Sequence, residues 1–547
     1  MSRRRVLAIG LDGYERSLGE QLMEQGELPA LNALRERSAR FLLDHGPAAR
    51  SGLAWEQVSI GRSPEATKRW SAVYFDRRSY DVWQEGATLP PFVDSLNLRT
   101  VVFDPPYFDL NLAPSVRGIT NWGAHDPGVP LASRPPEIRN EIESRFGLNP
   151  AETCMYDVVW PSPDRTRTLG ELLVQATRNR TRAARWLFGE RCPNWDFGLV
   201  VAGEIHSAIE ALWHGVDPTH PLHSLPSAAA AGEGLRAVYR ATDSMVQDLV
   251  EAFPEATVVA FSMGGMGPNR SDLASMVLLS ELLYRNSFGQ PLLRVPESWS
   301  SAPRGIPMLP PNQDWAQAIK ARLSPPSPSS DFVRRAARKL LPEGIKKLLR
   351  HQPAVRAGGA DAAALRLPLD WMPTILYQPF WHSMRYFALP SFYDGRVRIN
   401  LAGREKDGLV RPEDYESACQ EVESLIRDCR DLTTGESVVD HVEREPHRDP
   451  YAIGPTESDM VIVWRGAALG FEHPKLGRIG PLPYRRTGGH TGPFGVAYFA
   501  GDGIPAGDHG VRSSFDIVPT IVELLGEDVR LDLSGRSLLE NLQSAGV

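Results

Sequence analysis

The stretch Val6-Leu7-Ala8-Ile9-Gly10-Leu11-Asp12-Gly13 decides the fold of this 547-residue chain. Apolar residues and one glycine run without alternation and stop at a carboxylate, the pattern of a parallel strand buried on both faces. Its end faces the mouth of the sheet, and ligands of open α/β folds bind outside the carboxyl ends of the strands. Asp12 therefore has two readings: a cap on the following turn, or a side chain placed for chemistry or metal binding.

Outward from this strand the same grammar repeats. Leu18, Leu22, Leu28, Leu31, Leu34 and Phe41 recur at helical spacing, interrupted by Pro29, and lead to a strand near residues 40 to 44. Further apolar runs predict strands at 100–107, 195–203 and 256–261, with helices at 165–190 (basic and amphipathic) and 228–252. Strands alternating with helices predict a doubly wound α/β fold: a central, mostly parallel sheet sandwiched by helices, with insertions. Tyr393-Asp394-Gly395-Arg396 carries a hairpin turn signal before a strand at 398–404. A helix opens at Pro412 and runs to 428, a strand covers 496–500, and a helix over 515–526 has Gly526 as its C-cap. The expected organisation is an N-terminal part of the core at 1–300, a linker or insert at 301–365, and a C-terminal part of the same core at 366–547 with a cap-like subregion. The Pro- and Ser-rich run 301–330 and the Gly/Ala-rich run 357–364 support that division.

Composition narrows the class. With 42% apolar and 23% charged residues the chain reads as an ordinary soluble protein, and a net charge of -7 argues against a nucleic-acid partner. Cys154, Cys192, Cys419 and Cys429 lack CxxC spacing, so neither a disulfide framework nor a cysteine zinc site is expected, and a reducing cytoplasm fits. Met1-Ser2-Arg3-Arg4-Arg5 resembles the start of a secretion signal, but the apolar run after it ends at Asp12 without a cleavage pattern, so it is read as the first strand. No run is long enough to span a bilayer. Residues 332–351 carry seven Arg and Lys among leucines; peripheral membrane contact is one use of such a segment and a solvated helix face the commoner.

Three groups carry chemistry. Ser51, beside Gly52 and ahead of a helix-like stretch, stands where exposed N–H groups favour an attacking oxyanion or a bound phosphate, and equally where a plain N-cap serine stands. His206 and Glu210 are four apart, so on a helix they share one face and can hold one metal ion. An isolated pair of this kind is more often a surface ion pair. His490 sits in the glycine-rich loop Gly488-Gly489-His490-Thr491-Gly492.

Taken in order, these pieces resemble the alkaline phosphatase superfamily, in particular its type I phosphodiesterase/nucleotide pyrophosphatase branch, from Val6 to about Leu542. The resemblance rests on Leu11-Asp12-Gly13, on Ser51 to Trp55 with Gly61-Arg62-Ser63-Pro64, on Asn400-Leu401-Ala402-Gly403-Arg404, on Gly489-His490 to Gly495, and on Asp516 to Thr520. It implies a site at the carboxyl edge of the sheet with two metal ions, usually zinc, and a Thr or Ser nucleophile. By position Asp12 resembles a ligand of the nucleophile-side metal, Ser51 the nucleophile, and His490 the late histidine ligand of the other metal. The chain departs from the family where Ser-Asp-His-Gly is replaced by Ser262-Met263-Gly264-Gly265, removing two ligands, and where DxxxH becomes His206-xxx-Glu210. The expectation is an altered site with divalent metal, zinc foremost, held by His206, Glu210 and His490 with Asp12 nearby. A second ion there lacks its ligands at 263 and 264. Arg50, Arg62 and Asn121 are candidates for holding a small anionic substrate. The expected activity is hydrolysis of phosphate mono- or diesters or related anionic esters. A catalytically degenerate member with a binding role, or a group transferase or phosphomutase on the same fold, are the alternatives.

Overall fold

The computed structural model describes residues 4–123, 128–310, 313–323, 355–356, 365–445, 448–527 and 532–539. The basic segment 332–351 and the run 357–364 lie outside them. The chain divides into two compact units, the first made of Met1–Ala72, Ala87–Asn269 and Arg486–Val547, the second of Val73–Gly86 and Arg270–Arg485. The chain passes from one unit to the other after 72, 86, 269 and 485. Within the Pro- and Ser-rich run the described residues hold a 3-10 turn at Pro303–Gly305 and a helix at Trp315–Leu323.

The first unit contains a nine-stranded sheet. Its strands, in chain order, are β1 (Val6–Leu11), β2 (Ala39–Asp44), β3 (Thr100–Phe103), β4 (Arg117–Thr120), β5 (Ala132–Arg134), β6 (Phe197–Ala202), β7 (Thr257–Ser262), β10 (Gly495–Ala500) and β11 (Gly507–Ser513). A separate ribbon pairs β8 (Gly265–Pro268) with β9 (Gly488–Gly492). The spatial order is β11-β2-β10-β7-β1-β6-β3-β4-β5. Only β5 and β10 run antiparallel to their neighbours. β1 lies in the interior between β6 and β7, and all three are buried along their whole length, so none alternates.

Helices α1 (Arg16–Glu24), α2 (Pro29–Glu36), α3 (Ala54–Ile60), α4 (Pro163–Trp186), α5 (Glu204–Leu212), α6 (Ala228–Ala252) and α7 (Ile517–Leu524) complete this unit's frame. α4 starts where the Ser162 side chain accepts from the Arg165 N–H and Pro163, having no N–H, needs no acceptor. Val6 and Ala8 of β1 join a core with Trp55 and Val58 of α3 and Ile517 and Val518 of α7.

The second unit is built of three small antiparallel sheets. The expected hairpin joins Tyr386–Leu389 to Gly395–Ile399, and the helix expected from Pro412 begins as a 3-10 turn and continues as Tyr415–Arg427. Asn400 to Arg404 has a structural job there. The buried Arg404 guanidinium donates to both oxygens of Asp459 at 2.8 Å and to Glu405 at 2.9 Å, and Arg398 donates to Glu405 at 2.8 Å. Among the described residues no helix is long and apolar enough to cross a membrane.

Candidate functional site

Strand register brings the first pieces together. Leu11 of β1 pairs with Ala202 of β6, and the Asp12 N–H donates to the Ala202 carbonyl at 3.0 Å, so the end of β1 lies beside the first turn of α5. Gly13 turns away with φ of +72°; a Cβ there would stand 2.6 Å from the His206 Cα, so only glycine lets this turn lie against the helix. Asp12 is buried between two donors. Trp55 Nε1–H donates to Oδ1 at 2.8 Å and His206 Nδ1 lies 2.8 Å from Oδ2. That contact assigns the His206 proton to Nδ1 and turns the Nε2 lone pair outward.

All nine residues of α5 are buried, and its first turn is fastened by Arg180 of α4. The Arg180 guanidinium donates to Glu204 at 2.9–3.1 Å and to Asp104 at 2.9 Å, all three side chains being at most 2% exposed. Burial raises the Asp104 carboxyl above its usual range even though Arg180 pulls it down. On the face so fixed, His206 Nε2 stands 3.3 Å from Glu210 Oε1. β9 supplies the third group. Thr487 N–H donates to the Glu210 carbonyl at 2.7 Å, and Gly488 packs so closely that a Cβ would lie 2.3 Å from the Ile209 oxygen. His490 thereby reaches His206 with 3.0 Å between their Nε2 atoms and the rings edge to face.

The ligand atoms of His206, Glu210 and His490 all lie within 4.8 Å of one another. Two imidazoles and a carboxylate are a borderline-soft donor set suited to zinc. Ligand atoms on a tetrahedral zinc with bonds of about 2.0–2.1 Å are separated by about 3.3 Å, which the 3.0 and 3.3 Å spacings match. The donor set fits a divalent metal.

The other sequence candidates belong to the same unit. The buried Ser51 hydroxyl donates to the Ala48 carbonyl at 2.6 Å and accepts from Leu53 N–H at 3.1 Å and Gln57 Nε2 at 3.2 Å, capping the turn into α3. Arg62 is held by Asp532 at 2.8 Å, Asn121 spans its own loop to the Val129 carbonyl at 3.2 Å, and Arg50 is half-buried at the end of the 3-10 turn before Ser51. Met263, where the resemblance leads one to expect a carboxylate, is packed into the apolar core with Trp55 and Phe261, while a Cβ at Gly264 would meet nothing within 4 Å. One residue escaped sequence reading altogether. Arg486 forms an ion pair with Glu210 Oε1, and its guanidinium lies 5.8 Å from the Tyr156 ring.

Fold and site together define an α/β protein with a His-Glu-His group at the carboxyl edge of a mostly parallel sheet. No protein-family model matches the chain, and no curated protein does. Among solved structures, phosphonoacetate hydrolase from Sinorhizobium meliloti 1021 in complex with phosphonoformate is similar at 12% identity over 96% of this chain and 95% of that one, with a TM-score of 0.46. Human ectonucleotide pyrophosphatase/phosphodiesterase 5 is similar at 11% identity over 99% of both chains, with a TM-score of 0.44. Its murine counterpart, an inactive variant in complex with AMP, is similar at 10% identity over 99% of both, with a TM-score of 0.45.

Proposed function

We propose that this chain is a metal-dependent hydrolase of phosphate esters or related anionic esters, built on a single divalent ion held by His206, Glu210 and His490. The observation that carries the reading is the convergence of the three ligand atoms within 4.8 Å of one another around a histidine whose tautomer is fixed by Asp12. When bound, the ion would polarise a phosphoryl oxygen and offset developing negative charge. Asp12 keeps the His206 Nε2 lone pair available, and Arg180 holds the helix that carries both α5 ligands. Ser51 is the proposed nucleophile. To attack, its hydroxyl must leave the Ala48 carbonyl; as its oxygen bonds to phosphorus the ester P–O bond breaks and the departing alcohol oxygen takes up the serine proton, while the Leu53 N–H and the Gln57 side chain are the donors at hand to stabilise the serine oxygen as it loses that proton. The engaged, buried state of that same hydroxyl favours a second reading, a family member that has lost turnover and retains a ligand site.

Metal analysis and turnover separate the two. Protein purified without chelator is expected to carry about one zinc per chain, lost in His490→Ala, and to hydrolyse aryl phosphate mono- or diesters in a Ser51-dependent way. Zinc without turnover in wild type selects the binding role, turnover only with an added acceptor alcohol selects a transferase, and retained turnover in Ser51→Ala removes serine from the mechanism.

A further inference from the structure

Arg180 uses only the inner side of α4. Residues 172–186 also hold Arg178, Arg182 and Arg185 and contain no Asp or Glu, in a chain whose net charge is -7. These three follow at i, i+4 and i+7, which puts them on one stripe of the helix, and all three are exposed. Like charges one turn apart repel. Neighbouring groups relieve only part of this: Asp248 of α6 lies 3.7 Å from Arg185, and Arg182 donates to the neutral Asn179 amide oxygen at 2.7 Å. Among the described residues no carboxylate forms an ion pair with Arg178 or Arg182. Beside the stripe, α4 and α6 leave a groove of about 600 Å³ that Arg178, Arg182 and Arg240 line. Apolar surface lines it too, from the buried Met245 and the half-buried Val174, Ala237 and Ala241. The alanines, four apart on α6, leave room that larger side chains would fill.

We propose that this groove is a second ligand site, separate from the His-Glu-His group, for an organic polyphosphate: linked phosphoryl groups on Arg178 and Arg182, and a flat apolar body, such as the base of a nucleoside triphosphate, on the α6 side. The volume lies in the range of small-molecule sites. Two guanidinium forks a helical turn apart each match two oxygens of a phosphoryl group, and an anion between them turns their repulsion into attraction. The stripe is short. From Arg178 to Arg185 it rises about 10 Å, and it is closed at one end by Glu171, seven positions before Arg178, and at the other by Asp248 beside Arg185. That is the length of a small ligand rather than of a polymer. An inorganic polyphosphate would satisfy the arginines and leave the apolar lining wet, whereas an apolar peptide would cover the lining and leave Arg178 and Arg182 without an anion. A molecule with both parts uses the whole groove, and its π-face can also take the guanidinium planes.

The test is calorimetric titration of the full-length chain with the non-hydrolysable analogue adenylyl imidodiphosphate, in wild type and in His490→Ala. Binding is expected in both with the same affinity, because the groove shares no residue with the proposed metal position, and it should weaken as salt is raised. The double variant Arg178→Gln, Arg182→Gln alters only exposed side chains, so it should unfold at the wild-type temperature and bind the analogue on the order of tenfold more weakly. Ala241→Leu fills the apolar part of the groove. It should weaken the analogue by about tenfold and leave inorganic tripolyphosphate within about twofold of wild type, a difference of about one leucine side chain's worth of contact. No binding in wild type, or unchanged affinity in the double arginine variant, overturns the site. Binding that vanishes in His490→Ala places the analogue at the metal position and overturns it equally. Tripolyphosphate that binds wild type as tightly as the analogue does overturns the organic ligand, and a single-stranded oligonucleotide that binds more tightly through the same arginines overturns the small one.

Discussion

Asp12 acts through the atom of His206 it faces. Its two oxygens meet the N–H groups of Trp55 and His206. In Asp12→Asn one oxygen becomes an NH2 group, so one of those donors must face another donor, and His206 loses the partner that fixes its tautomer. Zinc affinity is expected to fall 10- to 100-fold, with about 1–3 kcal/mol of stability lost as charge-assisted hydrogen bonds disappear. Chelator competition and urea unfolding read the two effects, and unchanged zinc affinity would refute the orienting role. At this scale the sequence exposes Asp12, His206, Glu210 and His490 because a carboxylate ending an apolar run, a helical i,i+4 pair and a histidine among glycines are local signals. It does not expose which oxygen meets which nitrogen, since that follows from the pairing of Leu11 with Ala202 across 191 positions. Arg486 had no local signal either. Its significance comes from the Thr487–Glu210 backbone bond.

At the scale of elements, α5 is a short helix whose placement depends on a buried charge. Arg180, fully buried between Asp104 and Glu204, ties α4 to the start of α5 and to the end of β3. Arg180→Met leaves two buried carboxylates without their cation and is expected to cost about 3–5 kcal/mol, and to weaken zinc binding because both α5 ligands lose their anchor. Adding Asp104→Asn and Glu204→Gln to that variant should restore part of the stability, which identifies unpaired charge rather than lost packing as the cause. A triple variant no more stable than Arg180→Met would point to packing instead. The helices and buried strands were legible because hydrophobic period marks them. The β8–β9 ribbon that delivers His490 was not. Gly265 and Gly492 approach until a Cβ on the former would lie 2.9 Å from the latter's Cα, and such pairing depends on missing side chains, which leave no pattern. The same limit applies at Met263, where a core position is read as a lost ligand only because the surrounding order of motifs says one belongs there.

For the first unit as a whole, acid should be the weak direction. His45, His214 and His220 are buried, and burial pushes their pKa down to about 4, about 3 and about 4. His45 is held by Ser514 Oγ at 2.5 Å from Nδ1 and stacks on Phe515, and His214 lies 3.3 Å from Ser227 Oγ, so each is fixed as a neutral ring. In the unfolded chain the same groups titrate near 6.5. Between those values the unfolded state binds more protons than the folded one, so stability rises with pH. Their contribution is complete above about pH 6.5, is lost as pH falls towards 4, and for His214 continues falling to about 3. At about 1.4 kcal/mol per pKa unit, each histidine accounts for up to a few kcal/mol. Burial also raises the carboxyls of Asp104, Asp243 and Asp516, which works in the opposite direction from about pH 3.8 upward. The decisive comparison is therefore between proteins rather than along one curve. Urea unfolding at pH 7.5, 6.5, 5.5 and 4.5 should show a steeper loss for wild type than for His45→Gln or His214→Gln, because each variant removes one group that must charge on unfolding while leaving the carboxyls in place. Parallel curves for wild type and both variants would mean that these rings take up protons in the folded state, and that the polar contacts around them yield in acid without unfolding the sheet.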